Sequence, residues 1–323
     1  MTFFSDSSMY RNFLVSPRIP PEIVLQTIQH IPFGNGTLMS ALRNAHPRLH
    51  TLFSTYEQSL TRYFMQNELR HAERDFACEG DFSFAWLAEC VRNYDIIDDV
   101  MDALCSDHNF NAIMPHNAFL AYTGLLLIHR ISLLEKHGDD GQCYIESLRR
   151  DGLIAIYLVL HHSTLAARYH GSGWINQRTY GFFMGAEQFE LRNELEFCFA
   201  EAALSIGPEF ISDTLLHHDQ SDCEATLLNF YHDYGIHDWE WPCLEAKGEF
   251  EPPRTQGPQR EKDKKERSLF TTLLKCLAER MQCELSHVRE RVERDLENTH
   301  HPLANLTLGG KEWLLKGKDL DER

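Results

Sequence analysis

The feature that most constrains this chain is its hydrophobic period. Apolar residues recur at intervals of three and four along most of its length, and alternating apolar–polar runs are rare. A sequence with that pattern buries helical stripes rather than sheet faces, so the expected class is all-α. At 323 residues the length is a soft prior for two domains. Its 43% hydrophobic content supplies enough apolar matter for a sizeable core.

Helix signals allow a coarse parse. Short helices are expected over about 20–31, 37–45 and 47–53, followed by a longer one over about 55–74. Further helices are expected over 82–105, 116–137, 143–169, 186–205, 208–218 and 221–233. Ser54-x-x-Glu57 and Ser221-x-x-Glu224 have the capping-box pattern, and Pro20, Pro47 and Pro208 suit first turns. Residues 246–265 carry Pro252, Pro253, Gly257, Pro258 and dense mixed charge, which predicts a linker or exposed loop. Beyond it, Leu269, Leu273, Leu277 and Met281 form one apolar stripe, and Glu284 to Glu297 reads as a charged helix. The expected organisation is a flexible N-terminus over 1–17, a three-helix module over 18–55, an irregular helical body over 56–245, the linker, and a C-terminal helical segment over 266–323. No fixed-period repeat is present.

Charge narrows the function classes. The formal charge is −17, and a nucleic-acid backbone repels such a surface. Residues 1–75 nevertheless hold seven Arg, no Lys and six acids, so almost all of the negative charge falls on the remainder. No uninterrupted apolar stretch approaches the ~20 residues of a membrane span, and no secretory h-region opens the chain. The nine cysteines are scattered and never spaced as Cys-x-x-Cys, which predicts reduced core thiols and a cytoplasmic or nuclear setting.

Chemistry-bearing motifs are sparse. No phosphate-cradling glycine loop, no nucleophile elbow and no zinc-ligand spacing is present, so no catalytic residue, metal or cofactor is expected. A lesser alternative is a metal-dependent enzyme drawing ligands from His161, His217, His218, His232 and His237. Two aromatic groups, Trp174 to Phe189 and Tyr231 to Trp241, are read first as helix-end plugs and second as partner anchors.

The N-terminal segment is the most informative. Pro20 or Pro21 opens a helix lined by Ile23, Ile28 and Ile31, and Pro32 stops it. Gly34 and Gly36 make a tight turn. Leu38 and Leu42 mark a second helix, and Leu49 and Leu52 a third. Three short helices cannot bury all these side chains among themselves, so some apolar face must meet another surface.

This segment resembles the F-box, the three-helix module by which substrate receptors dock on the Skp adaptor of cullin–RING ubiquitin ligases. Ile19, Pro20, Pro21, Glu22 and Ile23 look like the family's opening, and Ile28 and Ile31 match the apolar positions that follow. Leu38, Leu42 and Arg43 are similar to its second-helix run, and Arg48, Leu49 and Leu52 to its closing helix. Three positions depart from the family: Gly36-Thr37 replaces the frequent Asp before the second helix, Ala45 replaces a larger aliphatic, and His46-Pro47-Arg48-Leu49 replaces a Trp-containing stretch. In these departures the segment looks like degenerate F-box-like regions of filamentous-fungal proteins. The resemblance covers residues 16–55. It implies a non-catalytic adaptor that binds a Skp-type partner through Ile19, Pro20, Ile23, Ile28, Ile31, Leu38, Leu42 and Leu49, with the helical body selecting an unknown client. The alternative is one helical structural or interaction protein with a vestigial F-box segment.

Overall fold

A computed structural model describes residues 14–76, 82–138, 140–169, 189–216, 223, 225–227, 229–231 and 268–322. All regular structure among them is helical. The chain divides into two compact units, 1–95 and 96–323, and the division falls inside one helix. The predictions on His217, His218, His232, His237, Trp174, Trp239, Trp241, Ser221 and the 246–265 linker lie outside the described residues.

In the first unit, α1 (Pro21–Gln29), α2 (Thr37–Ala45) and α3 (Pro47–Glu68) are followed by a single turn, α4 (Ala72–Asp75), and the start of α5 (Phe84–Cys105). Pro21 stands in the first turn of α1 and Pro47 in that of α3, where a missing N–H leaves no bond unmade. The third helix does not stop near residue 53. Leu49, Leu52, Phe53, Leu60 and Phe64 keep one buried stripe running through Ser54, and a continuous stripe holds the helix together more strongly than a cap can end it. Ser54 and Glu57 therefore form no capping box. Instead Arg43 on α2 bonds both of them, at 3.2 Å each, and ties α2 to α3.

The core of this unit is aromatic. Phe33 packs on Phe64 and Phe84 with ring centroids 5.4 and 5.8 Å apart, and Phe53 meets Phe84 edge-on at 5.7 Å. Leu60, Phe64, Phe84 and Leu87 share one cluster with Val24, Ile28 and Leu49, so this core extends beyond the 18–55 segment. Leu14 and Val15 also pack against it, so at these two residues the predicted flexible N-terminus is held.

The second unit is built around α6 (Ala118–His137), which packs on α7 (Gly141–Ser147), α8 (Arg150–Tyr169), α9 (Phe189–Ile206) and α10 (Pro208–Leu216). The helix Pro115–His137 is long and apolar enough to cross a membrane, but 61% of its apolar window is buried inside the protein. An all-round apolar helix enclosed by others is what the centre of a helical core requires. Gly124 lets α6 approach α8: a Cβ there would lie 2.9 Å from Val159 Cγ2 and still closer to the Ala155 carbonyl.

One predicted helix, 143–169, is two. Leu148 adopts an extended backbone and buries its side chain, so α7 ends and α8 begins at a corner. The C-terminal segment folds back. Its helices are α11 (Leu269–Met281), α12 (Val288–Glu297) and α13 (Leu308–Leu315). Arg130 Nη1 donates to the Leu315 carbonyl at 2.6 Å, and Asn305 N to the His116 carbonyl at 2.6 Å. Buried Asp151 accepts from Leu320 N at 2.9 Å while its own N donates to Asp319 at 2.9 Å, which latches the chain end to the start of α8. Cys90, Cys198, Cys223 and Cys276 are buried thiols, but Cys143 is exposed and donates to Asp140 at 2.8 Å. That carboxylate pushes the Cys143 thiol up, away from reactive thiolate.

Candidate functional site

The eight residues singled out by sequence separate into three groups. Ile28 and Leu49 are 0% and 2% exposed, so they cannot touch a partner and serve the unit's own core. Ile19, Ile31 and Leu42 are half-buried against that core. Ile23 and Leu38 stand 42% and 50% exposed, and Pro20 is exposed as well.

Helix geometry explains the separation. On α1, Val24 and Ile28 occupy one face, which turns inward, while Ile23 shares the outer face with Gln26. On α2, Met39 is buried, whereas Leu38, Ala41 and Ala45 recur at the spacing of one stripe and are all exposed. That stripe is an apolar helical face with no cover among the described residues. Sequence reasoning missed Ala41, because an alanine gives a weak hydrophobic signal.

The frame beneath this surface is held by carboxylates. Both oxygens of Glu68 lie 3.1 Å from the Phe33 N–H in the turn after α1. Glu57 joins Arg43 through one oxygen, and its other accepts from Phe84 N at 3.1 Å, at the first turn of α5. Negative charge at a helix start satisfies an orphan N–H and complements the dipole. Arg48 donates to the Ile19 carbonyl and so fixes the chain leading into α1.

Two departures from the resembled family have local reasons. Gly36 precedes α2 with φ of 76°, a left-handed conformation that glycine takes without strain, and an added Cβ would lie 3.1 Å from Phe33 Cζ. His46 caps α3: its Nδ1 accepts from Arg48 N at 3.1 Å.

Of the five candidate metal-binding histidines, His161 is described. Its Nε2 lies 3.4 Å from Glu293 Oε1, and its ring stacks on Tyr157 at 5.8 Å. Burial lowers it to about 4, so the ring is neutral at pH 7. His162 is also lowered, first by burial. Burial raises Tyr157 to about 12, so its hydroxyl keeps the proton. No group of three His, Cys, Asp or Glu that could hold a metal occurs among the described residues.

Comparison with protein-family models, curated proteins and solved structures gives no match to this chain.

Proposed function

We propose that this protein is a non-catalytic interaction adaptor whose first unit docks on a Skp-type partner of a cullin–RING ubiquitin ligase. The observation that carries the reading is the uncovered apolar face of α2, with Leu38, Ala41 and Ala45, in a segment that also exposes Ile23 and resembles the F-box. An aromatic core and the Arg43–Glu57 and Glu68 contacts hold this face, so docking carries a low ordering cost. The second unit would select the client protein. Its part is to raise the local concentration of client lysines near a charged conjugating enzyme, with no covalent step of its own.

A second reading keeps the three helices as structural elements alone. It is favoured by Ile28 and Leu49, which are committed to the core. The two readings part at Leu38 and Ile23. Co-purification with a Skp-type adaptor separates them, using the intact chain, Leu38→Asp and Ile23→Asp. The adaptor reading expects a complex with the intact chain and its loss in both variants, each still folded by circular dichroism. Absence of a complex with the intact chain would leave the structural reading.

A further inference from the structure

The loop between α5 and α6 presents an aromatic ring to water. Phe110 is 99% exposed, and Met114, further along the same loop, is 58% exposed. The loop that carries them is nevertheless fixed from several sides. Asn109 is 3% exposed; its Nδ2 donates to the Ala103 carbonyl at 3.3 Å, and its Oδ1 accepts from Asn111 N at 3.0 Å. Ile113 is buried, and its N donates to the Leu104 carbonyl at 2.9 Å. A carbonyl oxygen only accepts, so His162 Nδ1 on α8 donates to the Asn111 carbonyl at 2.8 Å. Phe110 is thus an exposed ring on a frame ordered in advance. Such a ring gains much apolar contact on burial and carries a low ordering cost, which is how an interface anchor is built.

Charge indicates what covers it. Between Ile96 and His116 the sequence holds Asp98, Asp99, Asp102 and Asp107, all exposed, and no Lys or Arg. Asp107 stands in the same loop, and Asn109 bonds the carbonyl of the residue that follows Asp102. Asn111 and Met114 line a cleft of about 400 Å³ together with Leu165 and the exposed Glu297. An apolar anchor set among acids suits a cationic partner. A second copy of this chain would bring the same aspartates against these, and an anionic lipid surface would be repelled likewise.

We propose that the Phe110–Met114 patch binds a basic segment of a protein partner, with aliphatic side chains packed on Phe110 and Met114 and flanking Lys or Arg facing Asp102, Asp107 and Glu297. The site uses residues of the second unit alone. It rests on the adaptor reading only in that such a partner would be the client; the binding itself needs no Skp-type adaptor.

A phage-displayed library of random peptides, selected on the full chain with no adaptor present, tests it. The enriched peptides should carry net positive charge and aliphatic residues. Made synthetically and measured by isothermal titration, they should bind Phe110→Ser about tenfold or more weakly than the intact chain. Met114→Ser and Asp107→Lys, also at exposed positions, should each weaken them several-fold, and they carry the test if Phe110→Ser does not fold. Leu38→Asp, on the first unit, should leave their affinity unchanged. The proposal is overturned if no peptide is enriched, if the enriched peptides lack net positive charge, or if the folded Phe110→Ser variant binds them as tightly as the intact chain. Loss of their binding in Leu38→Asp would assign them to the first unit and overturn it too. So would sedimentation of the full chain with phosphatidylserine vesicles that Phe110→Ser abolishes, because the ring would then be a lipid anchor. Failure to bind a Skp-type adaptor, with the peptide results as expected, would refute the adaptor reading and leave this site standing.

Discussion

Both units set acidic side chains against backbone N–H groups, but they bury these acceptors differently. In the first, Glu57 and Glu68 reach across from α3 to backbone N–H groups, and both stay in contact with solvent. In the second, Glu201 and Asp151 do the same work at 1% exposure each. Glu201 accepts from Leu269 N at 3.0 Å and Phe270 N at 2.8 Å, holding the start of α11. The cores differ to match: an aromatic cluster in the first unit, and an all-round aliphatic helix with buried polar clamps in the second. The first unit can therefore spend apolar residues on its surface, while the second is specified internally and should be the more sensitive to pH and to backbone approach.

The largest expected effect lies in the aromatic core. Phe64→Ala removes a fully buried ring that touches Phe33 and Phe84, and should cost about 3–5 kcal/mol in denaturant unfolding. A small effect would mean the core is not what holds this unit. Gly124→Val tests the second unit in the same way. It forces α6 off the Ala155 carbonyl and should cost about 3 kcal/mol, read as a lowered urea midpoint.

Glu201→Ala strips two N–H groups of their acceptor at the start of α11 and should cost about 2–3 kcal/mol. Its pH dependence has a definite sign. Burial, the dominant cause, holds the Glu201 carboxyl up at about 7, against an ordinary 4.5. The folded protein therefore binds this proton more tightly than the unfolded chain does. Stability from this group is full below about pH 4.5 and declines as the pH rises to about 7, by on the order of 3 kcal/mol in all. Unfolding of Glu201→Gln across pH 5–8 should lack that decline; an unchanged slope would assign it elsewhere. The smallest effect belongs to the surface of the first unit, where Ile23→Asp and Leu38→Asp should change stability by no more than about 0.5 kcal/mol.

Much of this architecture was legible in the sequence because helical period and proline position are local signals. Pro47 and Pro208 begin helices as expected, Pro21 rather than Pro20 opens α1, and the stripe of Leu269, Leu273 and Leu277 turns inward. What the sequence hid is long-range. Nothing near Glu201 signals that it caps a helix 68 residues away, or near Asp151 that it holds Leu320. Ser54-x-x-Glu57 misled because a local cap competes with a core stripe that runs through it. At the candidate surface, period alone could not say which side of α1 faces in. Val24 turned out to share the buried face with Ile28, leaving Ile23 outside.

The most direct test of the central claim, an outward apolar face distinct from the core beneath it, is to measure adaptor affinity and thermal stability together for Leu38→Asp. The account predicts that the complex formed by the intact chain is lost while the melting temperature stays within about 3 °C. A Leu38→Asp variant that still binds the adaptor, or one that loses binding only because it has melted, would contradict it.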